Sequence, residues 1–171
     1  LVFETIFVEN RPVLELVDSD FSYRSDMLAA WYKTGKRGKG GPPSAIAFKR
    51  VPINSRREGG VLTTAAVMTM TSGTQRTKPI TRGAWMMTVV FNDAPEPPPA
   101  DVPPLPEDDE HDENLTIRER FADHRKRADC AGCHSKLDPM GFAFENYGLT
   151  GIWREKYANG RDVDASGVLF H

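Results

Sequence analysis

Apolar residues along this chain come in short bursts, and the spacing within each burst predicts an element. Residues 1–34 read as helical. Leu14, Leu16 and Val17 follow Pro12, a first-turn proline. A second helix opens with Ser25 and Asp26 as N-cap candidates and carries Met27, Leu28, Ala30 and Trp31. Residues 45–53 alternate, with Ile46, Phe48 and Val51 apolar, and predict a strand. Gly59-Gly60 marks a turn. The run at 61–70 suits either period and is read as helix. Pro79 starts another helix that carries Ile80, Trp85, Met86, Met87, Val89 and Val90.

Further on, Thr116 with Glu119 three residues later forms a capping box. It opens a helix through Phe121 and His124 toward Arg127. A short helix over Cys130–Lys136 follows, then a turn at Asp138-Pro139-Met140-Gly141. Phe142, Phe144 and Tyr147 are apolar anchors. Asn159-Gly160, between the runs 152–157 and 163–170, predicts a β-hairpin. The expected fold class is mainly α, with irregular loops and a small C-terminal β-hairpin.

Composition divides this pattern into parts. Seven of the 13 prolines fall within 94–106, followed by six acids around His111 at 107–113. That stretch reads as an extended, solvated linker. It separates a helical part at 1–93 from a second part at 114–171. The glycine- and lysine-rich segment 34–43 reads as a solvated loop, because no strand precedes it to build a phosphate-binding turn. The 171 residues carry a formal net charge of −2, which makes no case for nucleic acid. No apolar run approaches the roughly 20 residues that span a bilayer.

Chemistry concentrates at Cys130-Ala131-Gly132-Cys133-His134. A C-x-x-C-H in this order reads as a c-type haem attachment site. Each thiol adds to one haem vinyl group, and the adjacent histidine takes the iron from the proximal side. Positions i, i+3 and i+4 share a helix face, so all three groups can meet one macrocycle. Two small residues between the thiols let the backbone lie against it. A redox disulfide is one alternative, but a basic helical segment precedes the motif where a strand would be expected. A zinc site is another, but the chain holds no further cysteine, and His111, His124 and His171 lie at unsuitable spacings. Arg154 is the candidate partner for a haem propionate, with Arg82 next. Arg118, Arg120, Arg125, Lys126 and Arg127 form a basic collar that can steer an acidic partner.

These residues match a known pattern. Arg82-Gly83-Ala84-Trp85, the proline linker, CAGCHSKLDPMGFAFENYGLTGIWRE at 130–155 and DVDASG at 162–167 together resemble the planctomycete-type cytochrome c domain. Residues 1–34 resemble the tail of the domain that precedes it in large exported bacterial proteins. The family pattern usually has an aliphatic residue where this chain has Met140. The resemblance implies an exported, periplasmic or cell-surface haem c protein, a piece of a longer multidomain chain. It also implies His124 as the second axial ligand, because a histidine recurs ahead of the motif in that family. Met140, the methionines at 68–87 and an open site remain alternatives. The function expected is single-electron transfer to a redox partner protein, with other domains of the parent as further partners. A peroxidase-type haem enzyme and a haem-stapled structural module are the competing readings.

Overall fold

The computed structural model describes residues 1–32, 44–53, 55, 57–97, 114–122, 124–126 and 128–168, without the side chains of 124, 128 and 129. The glycine-lysine loop, most of the proline linker and the acidic run lie outside the described residues. The chain divides into two units, Leu1–Val67 and Met68–His171. It is helix-rich, with one two-stranded antiparallel sheet.

In the first unit, helix α1 spans Val2–Val8 and a 3-10 turn spans Val13–Leu16. Strand β1 spans Phe21–Arg24, helix α2 spans Asp26–Trp31 and strand β2 spans Lys49–Pro52. Ser25 caps α2, its Oγ accepting from the Leu28 amide at 3.3 Å. The expectation of helix throughout 1–34 fails at β1. Phe-Ser-Tyr-Arg alternates, and Phe21 pairs with Pro52 and Tyr23 with Arg50, a partner more than 25 residues away. Among the described residues, Ile6, Phe21 and Leu62 are the buried hydrophobic side chains of this unit, and the Arg50 guanidinium covers the Phe21 ring at 4.2 Å.

Helix α3, Ala65–Met70, leads into the second unit. Helix α4 spans Pro79–Trp85 with proline in its first turn, and it continues as one π-helical stretch over Met86–Val90. Helix α5 spans Ile117–Ala122, a 3-10 turn spans His124–Lys126, and helix α6 spans Ala128–Phe142. Ile117, Phe121 and Phe142 form the apolar core, with Ile80 and Tyr157 packed on it.

Helix α6 corrects a sequence expectation. Asp138–Gly141 is not a turn; the helix runs through it, with Pro139 inside. Proline removes a single amide from the ladder. The carbonyl it would have served belongs to exposed Ser135. The remaining turn packs closely on α4. A Cβ on Gly141 would lie 1.8 Å from the Pro79 carbonyl oxygen, and one on Gly83 would lie 2.2 Å from that of Leu137. The two helices therefore touch backbone to backbone, which only glycine permits.

The C-terminal hairpin is reduced to its turn. Gly160 has φ of 81°, and the Tyr157 amide donates to the Arg161 carbonyl at 2.8 Å. One bridge, Lys156 to Asp162, follows. The ladder then stops, because Arg118 takes the carbonyls of Asp164 (3.1 Å) and Ser166 (2.5 Å).

The capping box forms as read. The Thr116 amide donates to Glu119 Oε2 at 2.7 Å, and the Glu119 amide donates to Thr116 Oγ1 at 3.3 Å. The Thr116 amide, then Arg161, holds the Glu119 carboxyl below its ordinary value of 4.5. A lowered carboxyl contributes stability above the unfolded value, and that contribution is lost as pH falls through the lowered one. Glu119→Gln is therefore expected to lower the melting temperature at neutral pH and to flatten its decline below about pH 4.5. Parallel melting curves across pH for the two chains would contradict this.

Candidate functional site

Helix α6 decides which motif groups meet. At about 100° per residue, Cys133, Cys130, His134 and Asp138 follow one another within an arc of about 140°. Cys130 is buried, Cys133 is exposed, and the two thiols are not joined. His134 is half-buried, and its Nδ1 lies 2.8 Å from Asp138 Oδ1. Asp138 is itself only 5% exposed. Its second oxygen accepts from Arg125 Nη1 at 3.2 Å. One carboxylate thus bridges the motif histidine and a guanidinium from the preceding turn.

A cavity of about 630 Å³ opens beside His134 and Asp138, and neither Cys130 nor Cys133 lines it. Helix α5 supplies Arg118, the 3-10 turn supplies Arg125 and Lys126, and α6 supplies Ala131, His134 and Asp138. The segment 166–168 closes the far side. Arg118 ties that segment down while its guanidinium lies 4.2 Å from the Phe142 ring centre. Gly167 packs against Pro139, leaving a Cβ there only 3.1 Å from backbone. The wall thus carries Arg118, Arg125 and Lys126 together with the Asp138 carboxylate.

The other sequence candidates lie elsewhere. Arg154 donates to Glu145 Oε2 and to Thr77 Oγ1, both at 3.0 Å, and does not line the cavity. Arg82 is 1% exposed and donates to the carbonyls of Phe144, Tyr147 and Gly148. Met68, Met86, Met87 and Met140 are buried and Met70 is exposed; none of them lines the cavity. The His124 side chain is outside the described residues, but its turn contributes Arg125 and Lys126 to the wall. Arg118 and Arg125, grouped in the sequence with a solvent-facing collar, are engaged with the 164–166 segment and with Asp138.

Asp138 is the residue that sequence reasoning missed. Its signal was the i+4 spacing from His134, hidden by reading Asp-Pro as a turn.

Three features fit a haem. The two thiols and the imidazole share a helix face. A Cβ on Gly132 would meet nothing within 4 Å, so no packing within the protein demands glycine there. Glycine inside a helix costs roughly 0.5–1 kcal/mol relative to alanine, which makes sense where a flat group must approach the backbone. Arg125 Nε is buried on the cavity wall with no hydrogen-bond partner, a donor suited to a carboxylate such as a propionate. Among the described residues, no three His, Cys, Asp or Glu side chains converge to hold a bare metal ion.

A C-x-x-C-H presented on one helix is the arrangement that a cytochrome c-type domain requires. Within that class, residues 57–157 match the family described as PSCyt3, Protein of unknown function (DUF1588). The match covers more than half of the chain, which therefore belongs to this planctomycete cytochrome c-type family. No curated protein and no solved structure matches the chain. Among the described residues, no helix is long and apolar enough to cross a membrane.

Proposed function

We propose that this chain is a c-type cytochrome domain of an exported multidomain protein. It passes single electrons to and from a redox partner protein. Cys130 and Cys133 are the thioether attachment points, and His134 is the proximal ligand. The observation that carries this reading is the common face that Cys130, Cys133 and His134 share on α6. A bound haem c supplies a one-electron Fe(III)/Fe(II) couple.

The chain's own groups divide the remaining work. Asp138 accepts from His134 Nδ1, which orients the ring and would leave Nε2 to hold the iron. Arg125 and Lys126 offer positive charge to the propionates. Arg118 holds the 164–166 segment in place by donating to the carbonyls of Asp164 and Ser166. His124 is the proposed second axial ligand, supported by the turn that carries it forming one wall; Met140 is the alternative.

Denatured protein extracted with acidified organic solvent is expected to keep its red colour. Cys133→Ser is expected to retain at most one thioether. Colour that leaves the parent chain with the solvent would falsify covalent attachment. Peroxide turnover with a chromogenic dye at about 10 s⁻¹ or more, a typical enzyme rate, would replace electron transfer with a peroxidase reading.

A further inference from the structure

We infer that Asp138 sets the reduction potential of the iron through His134, as a positioning residue whose charge Arg125 tempers; this rests on the c-type haem reading above. His134 and Asp138 stand at i and i+4 on α6, and Nδ1 and Oδ1 are 2.8 Å apart. That distance is in the range of charge-assisted hydrogen bonds. A neutral acceptor at Nδ1 would only orient the ring. A carboxylate also raises the basicity of the opposite nitrogen. A more basic ligand stabilises the ferric over the ferrous state and lowers the potential.

Burial gives the carboxylate this leverage. Asp138 is 5% exposed, so water screens its charge weakly. Arg125 Nη1, at 3.2 Å from the other oxygen, withdraws part of that charge. The two residues therefore act on the couple with opposite signs. The Arg125 end also reaches the cavity wall, so the group that tempers the carboxylate borders the cofactor space.

The test is a spectroscopic redox titration of the full chain with haem attached, for the parent, Asp138→Asn and Arg125→Gln. Asp138→Asn keeps the shape and the accepting oxygen but removes the charge. At a fixed applied potential its oxidised-to-reduced ratio is expected to fall about tenfold, a rise of about 59 mV for one electron. Arg125→Gln is expected to move the ratio the other way, by a smaller factor. A merely structural role would lower thermal stability and leave both ratios within about twofold of the parent. Unchanged ratios, or shifts of the same sign, overturn the inference. If Asp138→Asn fails to fold, Asp138→Ser is titrated in its place, and the same direction of shift is required. Failure of the haem reading looks different: the parent then carries no covalent haem and gives no couple to titrate, and the inference falls with it.

Discussion

Gly141→Ala is expected to remove a large share of the stability of the Met68–His171 unit. The added methyl would sit 1.8 Å from the Pro79 carbonyl oxygen, which is backbone and cannot rotate away. Relief requires α4 and α6 to part by more than an ångström. Their separation would open the core formed by Ile117, Phe121 and Phe142, against which Ile80 of α4 packs. Overpacking commonly costs 1–3 kcal/mol, and with backbone as the obstacle about 3 kcal/mol or more is expected. Whole domains are stable by only about 5–15 kcal/mol. Gly132→Ala provides the contrast on the same helix. Its methyl meets nothing, so the haem-free chain should gain roughly 0.5–1 kcal/mol from better helix propensity. Chemical denaturation followed by circular dichroism measures both. A Gly141→Ala chain within 1 kcal/mol of the parent, by the same overpacking argument, would show that the helix contact is not tight.

Arg82→Met is expected to cost about 3–5 kcal/mol, the range for breaking a buried ion pair from one side. Arg82 leaves α4 and holds the chain just beyond α6. Nη1 donates to the carbonyls of Phe144 and Tyr147, both at 2.8 Å, and Nη2 donates to Gly148 at 3.1 Å and to Ser72 Oγ at 2.9 Å. Behind it lies Glu145, fully buried, with Oε1 3.7 Å from Arg82 Nη1. Its Oε2 receives Thr77 at 2.9 Å, Arg154 at 3.0 Å and the Tyr157 hydroxyl at 3.2 Å. Burial pulls the Arg82 guanidinium down to about 10, with Glu145 opposing, so it stays charged at neutral pH. Burial, with Glu145 close by, pushes the Tyr157 phenol up, so it remains a donor. Removing Arg82 takes one donor from each of three carbonyls, of which Phe144 and Gly148 keep a backbone donor, and leaves the carboxylate facing less positive charge. Arg82→Lys should recover little, because an ammonium cannot fork to four acceptors. Glu145→Gln alone should also destabilise. The double substitution should cost less than the two singles added, since the partners share one network. Strict additivity in the denaturation midpoints would mean that Arg82 and Glu145 act separately.

Both predictions bear on the site through α6. The helix that presents Cys130, Cys133 and His134 is held at its C-terminal half by the Gly83–Gly141 approach and just beyond its end by Arg82. Damage at either place reaches the motif without touching it.

What could be read from the chain was what neighbours in sequence decide. The Thr116–Glu119 box, the Ser25 cap, Pro79 at the head of α4 and the Asn159-Gly160 turn each depend on contacts within four residues, so the residue types were enough. The C-x-x-C-H is equally local, because helix pitch alone brings its three side chains to one face. Tertiary structure decided the rest. β1 exists because Phe21–Arg24 finds Lys49–Pro52, and no local pattern names that partner. The hairpin ladder stops because a guanidinium from α5 captures its carbonyls. Asp-Pro stays helical because the glycines of α4 and α6 meet, which turns Asp138 from a turn residue into the acceptor of His134. Arg154 and Arg82 suit a propionate by the bidentate match of guanidinium to carboxylate, yet a buried Glu145 lies close to both. Local signals are set by bonded geometry. Long-range pairings are settled by competition among distant groups for burial and hydrogen bonds, and only the folded chain shows which of them won.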